Sequence, residues 1–178
     1  MPLTLSHAVL HVRDLDAMID YYTRALGFNV TDRGPIARNG PEIVFMSQDP
    51  GEHHQLAFVS APRAEGACAL NHLAFRVADM AELRAQFDRL TSDGRGSQPR
   101  PVCHGNTWSL YFADPEQNGV EIFCDTPWHV RQPQGRPWDM SLDQESLLAW
   151  TRAAFEAEPE FGPGESYLAA RARQLGAG

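Results

Sequence analysis

Two short apolar segments of alternating pattern, each running into a helical period, divide most of the chain into similar halves. Ser6-His7-Ala8-Val9-Leu10-His11-Val12-Arg13-Asp14-Leu15 is echoed by Asn71-His72-Leu73-Ala74-Phe75-Arg76-Val77-Ala78-Asp79-Met80, with His, Val and Asp recurring 65 positions later. Each copy reads as a strand opening into a helix, and Asp14 and Asp79 are natural N-caps for the exposed amides of the first turn. The first helix is expected over about Leu15–Leu26, with Leu15, Met18, Tyr22 and Leu26 as its apolar stripe and Gly27 as its stop. In the second, Leu83, Phe87 and Leu90 share a face, and Asp79 with Glu82 resembles a capping box without its hydroxyl. Strand candidates follow each helix: Phe28–Asp32, Glu42–Ser47 and Gln55–Ser60, then Pro101–Cys103, Ser109–Ala113 and Val120–Cys124. The pattern is βαβββ used twice, over about residues 3–62 and 68–126, an α+β architecture, with Gly- and Pro-containing loops at 33–39 and 92–100. From Asp125 the composition turns rich in Pro and Trp (Trp128, Pro133, Pro137, Trp138). One further helix is expected there, capped by Ser141 with Gln144 and carrying Leu147, Leu148, Trp150 and Phe155. The expected division is a domain over 1–126 and an extension over 127–178 whose last residues fray.

Composition narrows the function classes. In 178 residues, 43% are hydrophobic and 21% charged, so a core is affordable and disorder is not indicated. A net charge of −8 argues against coating nucleic acid or an anionic membrane surface. No apolar run reaches the ~18 residues of a membrane span, and the first residues carry no secretory pattern. Three irregularly spaced cysteines (Cys68, Cys103, Cys124) read as reduced thiols of a cytosolic protein.

The candidate chemistry is a metal site. His7 and His72 occupy equivalent positions on the first strand of each half, and equivalent strands of a pseudo-symmetric fold bring such imidazoles together. Glu121 interrupts an otherwise apolar strand, Val120-Glu121-Ile122-Phe123. Two neutral imidazoles and one carboxylate make a facial triad that leaves three positions of an octahedral ion open.

These residues, with Asn71-His72-Leu73-Ala74-Phe75 and the run from His104 to Ile122, give a chain that resembles the vicinal oxygen chelate superfamily over about residues 3–126. That superfamily includes type I extradiol dioxygenases, glyoxalase I, fosfomycin-resistance enzymes and bleomycin-binding proteins. The resemblance implies paired βαβββ modules forming a curved mixed sheet with the metal inside. Glyoxalase- and epimerase-like members need a fourth protein ligand; the 65-residue offset from Glu121 lands on apolar Leu56, with Gln55 expected on the opposite face of the strand. The site therefore reads as three-coordinate and open.

The segment His53-His54-Gln55-Leu56-Ala57-Phe58 resembles one carrying an active-site histidine in type I extradiol dioxygenases. By strand parity His54 is expected to point with Leu56 towards the metal. Those enzymes also carry a histidine before the penultimate strand and a tyrosine on it, here His104 and Tyr111. The resemblance implies His54 as base, Tyr111 hydrogen-bonding a substrate oxygen, and His104 as an acid or positioning group. Histidine suits this work because its unperturbed pKa lies near neutrality. The metal expected is Fe(II), alternatively Mn(II), and the partners are a small aromatic diol, O2 and further copies of the chain. Two alternatives stay open: a transferase or isomerase like the fosfomycin-resistance or epimerase branches, and a non-enzymatic drug-binding protein of the bleomycin type. Among the remaining candidates, His11 is expected to pack in the core rather than support His7. Cys103 shows no sign of activation, and His129 has no evident partner. Arg131 and Arg136 are expected at the surface, while Trp128 and Trp138 could cover the site or simply pack.

Overall fold

The computed structural model describes residues 6–36, 38–50, 54–61 and 70–174, without the side chains of 171, 172 and 174. The chain divides into two compact units. One comprises Met1–Asn71, Asp93–Ser97 and Ala113–Asn118, the other His72–Ser92, Gln98–Phe112 and Gly119–Gly178.

The first unit holds β1 (Ala8–Val12), α1 (Leu15–Arg24), β2 (Asn29–Pro35), β3 (Glu42–Ser47) and β4 (Leu56–Ser60). Their order in the sheet is β1-β4-β3-β2, with β1 parallel to β4 and the other pairs antiparallel. Asp14 caps α1 by accepting from the Ala17 amide at 2.9 Å, and Gly27 turns the chain at φ +79°. Met18, Tyr21 and Tyr22 of α1 are fully buried, packing a face that includes Val12, Val44, Met46, Leu56 and Phe58. The α1 N-terminus gains a second anchor from further along the chain. Glu116 Oε1 accepts from the amides of Arg13 and Asp14 at 2.6 and 2.7 Å. Beside it the buried Asp114 accepts from Tyr22 Oη (3.1 Å), the Asn118 side chain (2.7 Å) and the amides of Glu116 and Asn118. Gly96 is required where it stands, because a Cβ there would lie 2.5 Å from the Ala113 carbonyl oxygen and 2.8 Å from Tyr21 Oη.

The second unit repeats the order. It has β5 (Leu73–Arg76), α2 (Met80–Asp93), β6 (Arg100–Cys103), β7 (Thr107–Ala113) and β8 (Gly119–Asp125), with β5 parallel to β8 and the sheet ordered β5-β8-β7-β6. Asp79 caps α2 through the Glu82 amide (3.0 Å), and Glu82 returns a bond to the Ala78 amide (2.8 Å). The sheet gains a fifth member from the extension, β10 (Arg136–Pro137), paired with β6. A short ladder joins β9 (Trp128–His129) to β11 (Gly162–Pro163).

Helix α3 (Gln144–Phe155) is capped by Asp143, which accepts from the Ser146 amide at 2.7 Å; Ser141, expected as the cap, lies outside the helix. A second helix, α4 (Gly164–Gln174), has no counterpart in the sequence expectations. Leu147 and Phe155 of α3 are fully buried. Trp108 Nε1 donates to the buried Thr151 Oγ1 at 2.9 Å, so the extension shares the core of the second unit. The tail aromatics pack: Trp138 is buried and Trp128 stacks on Phe161 at 6.0 Å. No helix among the described residues is long and apolar enough to cross a membrane.

Candidate active site

Parity along β1 puts Leu10 and Val12 against α1 and leaves Val9 and His11 on the open face, the side His7 shares. His11 is exposed there rather than packed in the core, since the helix-facing row is the even one. His7 Nδ1 lies 3.2 Å from Ser6 Oγ. The His54 ring stands 4.4 Å from that of His7 and 4.8 Å from that of Phe45. Phe45 also lines a cleft of about 440 Å³ with Asp32, Arg33, Gly34, Pro35, Ile36 and Ile43.

His54 reaches this face by a different route from the one parity suggests. Leu56 stands opposite Ala8 and Met46 and is buried on the helix side. His54 precedes the strand, across a bend at Gln55. Gln55 is already tied to both neighbours, donating to the Met46 carbonyl at 3.0 Å and accepting from the Ala8 amide at 3.1 Å. Alternation cannot be carried through that bend. The register also corrects the position equivalent to Glu121. Val9 stands opposite Ala57, whereas Ala74, 65 residues on from Val9, stands opposite Glu121, 64 on from Ala57. One residue is missing between the first and last strands of the second repeat, and the equivalent is Ala57, also apolar. Gln55 Oε1 accepts from the Gln48 amide at 3.0 Å. His53 and Glu52 lie outside the described residues.

In the second unit, His72 precedes β5 and shares the face of Ala74 and Arg76, which lie beside Glu121 and Phe123 in the parallel register. His72 Nε2 is 3.2 Å from Glu121 Oε2, and the carboxylate is buried. Arg76 completes the row, pairing with Asp125 and lying 4.9 Å over the Phe123 ring. Tyr111 presents its edge to His72 at 5.5 Å between ring centres. Its hydroxyl lies 3.0 Å from His104 Nε2, and His104 Nδ1 bonds the Gln134 carbonyl oxygen. Burial raises the Tyr111 pKa above that of an ordinary phenol, with the hydrogen bond and charge of Glu121 adding to the rise; Arg100, 5.9 Å over the ring, opposes it.

The structure thus groups His7 with His54 in one unit and His72, Glu121, Tyr111 and His104 in the other. Among the described residues, neither unit by itself gathers three His, Cys, Asp or Glu side chains into a cluster able to hold an ion. Phe45, Arg100, Gln132 and Gln134 were not singled out by sequence reasoning; glutamines flanking a proline carry no signal of chemistry.

The remaining candidates have structural partners. Arg131 pairs with Glu160, and Arg136 pairs with Glu158 at 2.5 Å while lying 4.6 Å over Phe155. His129 stacks on Tyr167 at 3.5 Å, with its Nε2 3.6 Å from Glu160, too far for a hydrogen bond. Burial pushes the Cys103 thiol up to about 11 and the Cys124 thiol up to about 12, so neither is an activated nucleophile. Cys68 lies outside the described residues.

The profile of the Glyoxalase/Bleomycin resistance protein/Dioxygenase superfamily matches residues 4–122. The chain belongs to that superfamily. Among superfamily relatives, biphenyl-2,3-diol 1,2-dioxygenase 2 of Rhodococcus globerulus is 32% identical over 165 residues, 82% of each chain. Biphenyl-2,3-diol 1,2-dioxygenase 3 of the same organism is 34% identical over 128 residues, 68% of this chain and 63% of that one. The match to the catechol-2,3-dioxygenase of Bacillus subtilis, 28% identical, spans only 42% of that protein. Two solved structures share the fold. A glyoxalase/bleomycin resistance protein/dioxygenase domain from Frankia sp. EAN1pec has a TM-score of 0.58 at 24% identity, over 71% of this chain and 100% of that one. Fosfomycin resistance protein FosX of Listeria monocytogenes, complexed with Mn(II) and sulfate, has a TM-score of 0.56 at 18% identity, over 71% and 95%.

Proposed function

We propose that this chain, a 1–126 superfamily domain carrying a 127–178 extension, is an extradiol dioxygenase that cleaves a catechol-type ring with O2. The observation that carries the reading is the hydrogen-bonded His104–Tyr111 pair (3.0 Å) beside the His72–Glu121 pair (3.2 Å). It occurs in a chain 32% identical over most of its length to a biphenyl-2,3-diol 1,2-dioxygenase. His7, His72 and Glu121 would hold a divalent metal, Fe(II) or Mn(II). Imidazole nitrogens with one carboxylate oxygen suit such an ion, and the 3.2 Å separation of His72 Nε2 and Glu121 Oε2 supports these two as part of the set. When bound, such a metal would supply a redox-active Lewis acid for the reaction of diol with O2.

The protein's own groups supply proton handling. A catechol hydroxyl must lose a proton before it binds as an anion, and His54, whose ring lies 4.4 Å from that of His7, is the base that accepts it. The Tyr111 hydroxyl, its pKa raised, keeps its proton throughout the working range and hydrogen-bonds the diol. His104 holds a proton at Nδ1 and presents Nε2 to Tyr111.

The test is anaerobic Fe(II) reconstitution followed by air and a catechol panel that includes 2,3-dihydroxybiphenyl. One O2 consumed per diol with a coloured ring-fission product is the expected result. No uptake by demonstrably metal-loaded protein across the panel overturns the reading in favour of transferase or isomerase chemistry.

A further inference from the structure

His104 sits in the turn between β6 and β7, and Thr126 together with residues of the extension holds that turn from outside. Gly105 takes φ +82°. Its carbonyl accepts from Thr126 Oγ1 at 2.6 Å, and the Asn106 carbonyl accepts from the Thr126 amide at 2.9 Å. A further tie is one side-chain amide. Gln132 Nε2 donates to the His104 carbonyl at 2.7 Å and also meets Asn106 Oδ1 (3.2 Å) and the Val130 carbonyl (3.3 Å). Gln132 Oε1 accepts from the Gln134 amide at 2.9 Å. The same residue, Gln134, turns its carbonyl oxygen to His104 Nδ1 and anchors its own side chain on the Arg131 carbonyl and Glu158.

A carbonyl oxygen can only accept, so the hydrogen of that bond belongs to His104 Nδ1. A neutral imidazole protonated at Nδ1 has its lone pair at Nε2, the atom facing Tyr111. The tyrosine hydroxyl has one proton and two acceptors to choose from, His104 Nε2 and Glu121. An accepting Nε2 draws that proton to its own side and leaves the phenol oxygen's lone pairs for a donor such as a diol hydroxyl.

We propose that Gln132 is a positioning residue: by tying the His104 main chain to Gln134 it fixes His104 as the Nδ1–H form, and so sets Tyr111 to accept a hydrogen bond from the substrate. The consequence for turnover rests on the dioxygenase reading above; the state of the imidazole does not.

Two variants test it. Gln132→Met keeps the length and removes every hydrogen bond of the side-chain amide, those to the His104 carbonyl and the Gln134 amide included; Gln132→Glu keeps the acceptor for the Gln134 amide and removes the donor to His104. Long-range nitrogen–proton NMR on the full, metal-free chain above neutral pH reads the His104 ring, assigned by its loss in His104→Phe. The native protein is expected to show Nδ1–H. Q132M should shift the ring towards Nε2–H, the commoner form in water, and Q132E should do so less. In the oxygen-uptake assay Q132M should lower kcat about tenfold with little change in KM, since alignment rather than binding is disturbed. If Q132M does not fold, Q132E gives the same reading. Native His104 found as Nε2–H, or a ring state unchanged in both variants, overturns the proposal. A native protein that cleaves no diol overturns the dioxygenase reading and leaves the ring measurement to decide the role of Gln132.

Discussion

Replacing Thr151 by Val tests whether the extension belongs to the core of the second unit. Thr151 Oγ1 accepts from Trp108 Nε1 at 2.9 Å and donates to the Leu147 carbonyl at 2.8 Å, with Thr151 wholly buried and Trp108 nearly so. Valine fills the same space, so no cavity opens; the perturbation is the indole N–H left without a partner. Orphaning a buried donor costs about 1–3 kcal/mol, and valine's better burial returns only a fraction of that, giving an expected loss of about 2 kcal/mol. All four tryptophans (Trp108, Trp128, Trp138, Trp150) lie in the second unit, so their fluorescence during urea unfolding reports on that unit alone. At a slope of about 2 kcal/mol per molar urea, the midpoint should fall by about 1 M with the slope unchanged. In a Trp108→Phe background the same substitution should cost roughly 1 kcal/mol less, because no donor remains to be stranded. A loss below about 0.5 kcal/mol in the single variant refutes the reasoning.

Three further outcomes are expected. Glu121→Gln should lose bound metal and oxygen uptake together while circular dichroism stays unchanged; stoichiometric metal in this variant removes Glu121 from the ligand set. His54→Ala should keep its metal and slow turnover about 10²- to 10³-fold, measured by initial oxygen consumption, because a proton acceptor rather than a ligand is lost. The raised thiol pKa values keep Cys103 and Cys124 protonated until pH approaches them from below. At pH 8 a thiol at about 11 is ionised in about one molecule per thousand. Iodoacetamide at pH 8 should therefore leave both unmodified in a folded Cys68→Ser variant and alkylate them on unfolding; rapid labelling of the folded form contradicts the burial argument.

The legible parts of the fold were those governed by short-range rules. Asp14 and Asp79 cap their helices because an aspartate before an amphipathic run has few better uses, and β3 runs from Glu42 to Ser47 as its alternation suggests. Sequence alone does not separate Asp143 from Ser141, because both are good caps two residues apart and only the path of the chain decides between them. Helix α4 is not legible in the sequence, since Gly162, Pro163 and Gly164 read as a break and the following residues carry a weak apolar stripe. For the candidate residues, the 65-residue repeat marked His7 and His72 but slipped by one at β8, where only the hydrogen-bonded register shows Ala57 in place of Leu56. The bonds from Gln132 and Gln134 to the His104 turn depend on chain returning from about 30 residues away, and no local pattern encodes such a return.

Asp114 and Glu116 belong to the first unit although they follow the whole second helix in the chain. The two βαβββ copies are therefore not separable parts. A fragment cut before Asn71 would carry β1–β4 and α1 entire. It would still leave Tyr22 Oη without its acceptor and the amides of Arg13 and Asp14 bare at the start of the helix. Such a half would need the severed remainder added back in trans. The natural seam for dissecting, permuting or splitting this protein is therefore not the seam of its repeat.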